Sequence, residues 1–236
     1  MNLKDSTRRA MLECYKYQGL AAVKPKALEI MRQCESNVAD FKTRCDIKGE
    51  LAEVVLECYL MYVQKTIAPS ILSKGLCIRN KNNGNTTEMD VCFFTPIRIY
   101  MFECKSYSGK KALTKECTLT NKTTSKDVYG QSLHHMTILN QYLTPYRTNV
   151  LDKGQSPYRL VLFELSSTEC EDKRELKWKK AIPLVTLDNL EQFILNEFST
   201  SAKINWDTPR MLPILQMLDK QSERNFKEHL KRLGAT

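Results

Sequence analysis

The sequence predicts an α/β fold with elements in the order αβββαβ and helical segments added at both ends. Three observations carry this prediction. Residues 46–65 place apolar side chains at helical spacing, and residues 71–104 break into three short β-branched and aromatic runs divided by turn signals. A second helical stretch, 125–143, is then followed by the apolar run Arg159–Leu165. The chain has 236 residues, 42% hydrophobic and 27% charged, which suits a globular protein with a substantial core and argues against disorder.

The elements follow in order. Residues 1–45 are expected to form a helical extension. The clearer of its two helices carries Ala27, Ile30, Met31, Cys34, Val38 and Phe41 on one side, after a break at Lys24-Pro25. The core, 46–200, opens with a helix capped by Asp46, whose buried stripe is Ile47, Leu51, Val54, Val55, Cys58 and Met61. Ile71–Arg79 reads as a strand and Asn80–Asn85 as its turn. Strands Met89–Phe94 and Ile97–Cys104 follow, joined by a Thr-Pro turn, with a further hairpin around Ala112–Thr120. After the helix Ser125–Leu143 come strands Arg159–Leu165 and Ile182–Thr186, and then the helix Leu187–Phe198. A C-terminal extension, 201–236, holds Trp206 as a packing residue and two helices, Pro209–Leu218 and Ser222–Leu233.

The chemistry centres on the Met89–Lys105 hairpin. With Pro96 and Ile97 as the central turn residues, antiparallel pairing sets Asp90 opposite Glu103, and alternation puts Glu103 and Lys105 on one face. Facing carboxylates repel unless a counterion joins them, and a divalent cation such as Mg2+ or Mn2+ is the natural one. Such an ion stabilises charge on a phosphodiester, and Lys105 is placed to orient water, so the pattern points to metal-dependent phosphodiester hydrolysis. Glu50, Glu53 and Glu57 lie along one helix flank, and spacing alone does not choose a third carboxylate among them. Gln131, His135 and Ile138 share a face of the later helix, where Gln131 could bind a phosphate or Lys105 and His135 could support the site.

The net charge is +9, from 36 basic and 27 acidic residues. Between Lys105 and Lys126 there are six lysines and one acid, Glu116. This makes Lys110, Lys111, Lys115, Lys122 and Lys126 candidate contacts to a nucleic-acid backbone. A second cluster, Lys173, Arg174, Lys177, Lys179 and Lys180, surrounds Trp178, and Arg224, Lys227, Lys231 and Arg232 give the last helix a basic side. Nine cysteines without a Cys-x-x-Cys pair read as reduced core thiols, Cys58, Cys92 and Cys104 among them. No signal peptide opens the chain and no apolar run reaches spanning length, so a cytoplasmic, reducing location is expected, with nucleoid or nucleus as the alternative.

Four stretches carry a resemblance: Lys48-Gly-Glu-Leu-Ala-Glu53, Glu88-Met-Asp90, Phe102-Glu-Cys-Lys105-Ser-Tyr-Ser-Gly109 and Tyr129-Gly-Gln131-Ser-Leu-His-His135. Over roughly residues 46–190 the chain resembles the restriction-endonuclease-like, or PD-(D/E)xK, nuclease superfamily. Within it the sequence is most similar to the nuclease-related domain family and to archaeal Holliday-junction resolvases. The resemblance implies a mixed central sheet flanked by helices. It implies Glu53 as the helical glutamate, Asp90 and Glu103 as metal ligands together with the Cys104 carbonyl, Lys105 as the water-positioning residue and Gln131 as a polar helper. Two departures stand: the superfamily's Pro-Asp is Met89-Asp90, and no tryptophan-containing pattern lies between Lys105 and Gly130. The expected activity is a Mg2+- or Mn2+-dependent endodeoxyribonuclease leaving 5′ phosphates on duplex or branched DNA, as a homodimer where both strands are cut. The competing expectation is a nuclease-fold module that binds nucleic acid or protein without cutting.

Overall fold

The computed structural model describes residues 3–65, 67, 69–106, 110–121, 125–147, 156–165, 170–198 and 206–232. Helices α1 (Leu3–Gln18), α2 (Val23–Asn37) and α3 (Phe41–Gln64) come first. Strands β1 (Ile71–Arg79), β2 (Thr86–Phe94), β3 (Ile99–Lys105), β4 (Lys111–Leu113), β5 (Thr118–Thr120) and β6 (Ser125–Asp127) precede α4 (Val128–Leu143). Then follow β7 (Tyr158–Glu164), β8 (Cys170–Asp172), α5 (Leu176–Ala181), β9 (Leu184–Thr186), α6 (Leu190–Phe198) and α7 (Thr208–Arg232). The larger sheet has the order β1-β2-β3-β7-β9 and the smaller β6-β5-β4-β8. Both are mixed: β1-β2-β3 and β4-β5 pair antiparallel, whereas β7-β9 and β4-β8 pair parallel. This is the expected α/β architecture with helical ends, and among the described residues no helix is long and apolar enough to cross a membrane.

Two compact units divide the chain. The first comprises residues 1–66, 104–126 and 162–200. In it α1 and α2 pack on α3, whose Leu51, Ala52, Val54, Val55, Leu56, Cys58 and Leu60 are wholly buried. A helix buried so far round its circumference must be covered on several sides, so its buried surface is broader than the single amphipathic stripe expected of it. The smaller sheet belongs to this unit, and Cys117, with φ of 64°, makes the tight turn from β4 to β5.

The second unit comprises residues 67–103, 127–161 and 201–236. Its β1, β2 and β3 form a meander that carries the buried Leu76, Ile78, Phe93, Phe94 and Tyr100. The first turn closes with Asn80 N–H to Asn85 O at 2.7 Å, helped by Gly84 at φ 74°. The second closes with Thr95 N–H to Arg98 O at 3.1 Å, and the Thr95 hydroxyl donates to the same carbonyl at 2.8 Å. Helix α7 packs on β1 and β2, where Asn225 Nδ2 donates to Cys77 O at 3.0 Å.

Several boundaries differ from expectation for identifiable reasons. Helix α3 begins at Phe41, because the cap is Asp40, whose carboxylate accepts from Thr43 N–H at 2.6 Å. Asp46 is therefore inside the helix and lies 4.0 Å from Lys4. The N-terminal helices part at Gly19, φ 80°, rather than at Pro25, which sits in the first turn of α2 where its missing N–H costs nothing. Phe41 is exposed and not on the buried side. The two C-terminal helices are one, α7, continuing through Pro213.

Candidate active site

The β2-β3 ladder pairs Val91 with Phe102, Cys92 with Met101, Phe93 with Tyr100 and Phe94 with Ile99. Carried one residue further, this register puts Asp90 across from Glu103, with side chains on the face shared by Cys92 and Met101. Burial first, and then the negative charges of Asp90 and Glu103, push the Cys92 thiol up. On the opposite flank of β2, Lys74 pairs with Val91 and Leu76 with Met89, so Gly75 stands across from Asp90. Gly75 has φ of 62° and drops out of the ladder; the Ser222 hydroxyl of α7 donates to its carbonyl at 3.1 Å and accepts from Cys77 N–H at 2.8 Å. The strand is thus distorted beside Asp90 and repaired by a helix nearly 150 residues away, a feature with no local signature in the sequence.

Glu103 is 3% exposed. A carboxylate that deep needs polar partners, and one comes from α4: His135 Nδ1 lies 3.4 Å from Glu103 Oε2. Helix α4 starts at Asp127, whose side chain accepts from Gly130 N–H at 2.8 Å. A Cβ at 130 would collide with the capping carboxylate, so a larger residue there would displace the cap. This start sets Gln131 and His135 one turn apart on the same face. Gln131 is half-buried, while Ser132 and His135 are buried. Ser132, His135, Glu103, Cys92 and Met101 line a cavity of about 10 Å³, the scale of a single water molecule. The Ser132 hydroxyl, buried there without a hydrogen-bond partner among the described residues, is a polar neighbour of Glu103 that the sequence did not single out.

The other sequence-predicted residues belong to the first unit. Glu53 is half-buried on α3. The glutamates flanking it are engaged by α1: Arg8 lies 2.7 Å from Glu57 and 3.8 Å from Glu50. Cys104 and Lys105, both half-buried, end β3, and the Lys105 carbonyl accepts from Leu165 N–H at 3.3 Å. Residues 107–109 of the Phe102–Gly109 stretch lie outside the described residues.

The basic surface needs correction. Lys111 is 4% exposed and its Nζ sits 2.7 Å from Glu164 Oε1, so its charge is consumed inside the first unit. Arg174 is likewise buried, clamped to Asp172 at 2.9 Å and donating to Ile182 O at 2.5 Å. Neither is available to a backbone phosphate. Lys110, Lys115 and Lys126 are exposed, and Lys122 lies outside the described residues. On α7, Lys227 and Arg224 are engaged by Glu223 and Glu228, and Arg232 by Thr86 O.

The nuclease-related domain model matches residues 48–164. Through this stretch, just under half of the chain, the sequence matches the nuclease-related domain family. The match runs from Lys48, buried on α3 and 2.7 Å from Glu35, to Glu164 at the end of β7, and so contains Glu53, Asp90, Glu103, Lys105 and Gln131. Among curated proteins none matches the chain. Among solved structures it is similar to protein VC1899 from Vibrio cholerae, at 12% identity and a TM-score of 0.43, over 84% of this chain and 51% of that one. The chain thus spans about half the length of that protein. It is also similar to AF1548, described as of unknown function, at 12% identity and a TM-score of 0.35, over 78% of this chain and 97% of that one.

The donor set of the nuclease-related domain suits a hard cation. Among the described residues no three His, Cys, Asp or Glu side chains converge as a metal cage. Two facing carboxylates are what magnesium commonly takes from a protein, its remaining positions going to water and substrate phosphate.

Proposed function

We propose that the protein is a metal-dependent nuclease that hydrolyses phosphodiester bonds in DNA, acting within the strand and leaving 5′ phosphates. The observation that carries the reading is the β2-β3 register, which extended by one residue sets Asp90 opposite the buried Glu103, with His135 3.4 Å from the latter. Asp90 and Glu103 would hold Mg2+ or Mn2+, with the Cys104 carbonyl and Glu53 as further ligands in keeping with the family resemblance. When bound, the ion supplies Lewis-acid stabilisation of the phosphate and lowers the pKa of attacking water. Lys105, two residues past Glu103, positions that water and offsets charge on the phosphate, and Gln131 hydrogen-bonds a phosphate oxygen. His135 fixes the Glu103 carboxylate in one orientation, which a ligand on a short strand end otherwise lacks. Lys110, Lys115 and Lys126 supply sequence-independent backbone affinity. A homodimer would match the two-fold symmetry of a duplex, and a cytoplasmic, reducing setting suits the free thiols.

Supercoiled plasmid and end-labelled linear duplex, incubated with Mg2+, Mn2+ or EDTA, test the reading. Metal-dependent nicking is expected from the natural protein and none from Asp90→Ala, Glu103→Gln or Lys105→Ala. Retained duplex binding with no cleavage under either metal would instead make this a binding module.

A further inference from the structure

The first unit contains a cleft of about 730 Å³, within the size range of pockets that bind small molecules. Its walls come from four places. Leu20 and Ala21 precede α2; Pro25, Leu28 and Arg32 lie on α2; Tyr59 and Tyr62 are on α3; and Ile194 and Leu195 are on α6. None of these belongs to the carboxylate site, and the cleft has no part in the nuclease reading.

Two features separate this cleft from an ordinary apolar crevice. Tyr59 is 5% exposed, yet its hydroxyl makes no hydrogen bond among the described residues, although it lines the cleft. The hydroxyl is not among the fully enclosed side-chain atoms, so it opens toward the cleft rather than into the core. Burial, with the nearby Glu191 carboxylate adding to it, raises the Tyr59 hydroxyl above its ordinary value, so it stays protonated and able to donate. Arg32 is the second feature: it also lines the cleft, and its guanidinium has no acidic partner among the described residues. The other cation of the lining, Lys24, is already held by Asp188 at 2.8 Å. The cleft therefore presents apolar walls and two donors with no protein partner among the described residues, the Tyr59 hydroxyl and the exposed, permanently charged guanidinium of Arg32. Its only carboxylate, Glu191, is exposed at the edge.

We propose that this cleft binds a small amphipathic carboxylate, an apolar chain or ring system ending in one anionic group. The apolar body lies against Leu28, Ile194 and Leu195, while the carboxylate accepts from Arg32 and from the Tyr59 hydroxyl. Two donors on one anion fit carboxylate chemistry, whose oxygens accept several hydrogen bonds and donate none.

The test uses the full chain and dodecanoate below its micellar concentration, titrated calorimetrically, with dodecanol and dodecyltrimethylammonium as matched probes. Saturable one-to-one binding of dodecanoate is expected, with dodecanol weaker by about tenfold or more because it lacks the charge. Arg32→Gln, at an exposed position, should weaken dodecanoate by about tenfold, and Tyr59→Phe, which keeps the ring, by about threefold to tenfold. Leu28→Trp should block binding by filling the cleft, with far-ultraviolet circular dichroism confirming an unchanged fold. The proposal is overturned by no saturable binding, by equal or tighter binding of dodecanol or the ammonium probe, or by indifference to both Arg32→Gln and Tyr59→Phe.

Discussion

Removing one member of the Lys111–Glu164 pair should be among the most damaging single changes available in this protein. The side chains are 0% and 1% exposed and the N–O distance is 2.7 Å, so neither charge has water to fall back on. Glu164→Leu leaves an ammonium buried without its carboxylate, a situation that costs about 3–5 kcal/mol. Small domains are stable by only about 5–15 kcal/mol, so such a loss is a large fraction of the whole. Lys111→Met in the same chain removes the orphaned charge and should restore most of the stability, since apolar replacement of both partners is often neutral or better. The assay is urea unfolding of the natural protein, both single variants and the double variant, read as a thermodynamic cycle. The same proteins also test the revised basic surface. The double variant should bind duplex DNA with an unchanged salt dependence, whereas Lys110→Ala and Lys115→Ala should each flatten it. Single variants losing less than about 1 kcal/mol, or a double variant no better than the worse single, would refute the reasoning. So would a weaker salt slope on changing Lys111.

Other outcomes follow from the same geometry. His135→Ala should lower metal-dependent cleavage by about 10- to 100-fold, with partial rescue by His135→Gln, because the imidazole orients Glu103 rather than touching substrate. Equal losses in the two variants would show that orientation is not its role. Gly75→Ala should destabilise by about 1–2 kcal/mol although the methyl would meet only Glu88, at an ordinary contact distance of 3.7 Å, since a left-handed backbone and not crowding requires glycine there; unfolding at the natural midpoint would contradict this. Burial raises the Cys58 and Cys77 thiols to about 12 and the Cys170 thiol to about 11, from an ordinary 9.0. These folded-state values lie above the unfolded ones, so the stability they contribute is complete below pH 9 and is lost as pH rises toward 11 and 12. Thermal midpoints measured from pH 7.5 to 10.5 should fall at the alkaline end, and less so in a Cys58→Ala, Cys77→Ala, Cys170→Ala variant measured against its own neutral value. At pH 8, thiol alkylation of the folded chain should reach the half-buried Cys45 and Cys104 well before the buried Cys58, Cys77 and Cys92; mass spectrometry of labelled peptides gives the order.

The sequence revealed relations fixed by local chain geometry. A two-residue turn at Pro96-Ile97 leaves one register for β2 and β3, and every observed pair has the partners that turn dictates. The position of Asp90 relative to Glu103 was therefore legible from the turn alone. Strand β1 was legible for a similar reason, its apolar run being bounded by a turn that needs Gly84 in the left-handed region. By contrast, β6, β8 and α5 are each three to six residues long, too short for periodicity to speak.

What escaped the sequence depends on partners far along the chain. Lys111 and Lys110 are indistinguishable as sequence, both basic and both in a lysine-rich stretch, yet one is buried and the other exposed. The difference lies in Glu164, 53 residues later, on a strand otherwise apolar enough to read as pure core. The same holds for Arg8, which engages Glu50 and Glu57, and for Ser222, which repairs the distortion at Gly75. In each case a charged or polar side chain that composition assigns to the surface is spent on holding the fold. Net charge therefore overstates the phosphate-binding capacity of this chain. A test of the proposed nucleic-acid binding should start from exposed cations without acidic partners, and on the stretch after Lys105 that leaves Lys110, Lys115 and Lys126 as the described residues to change first.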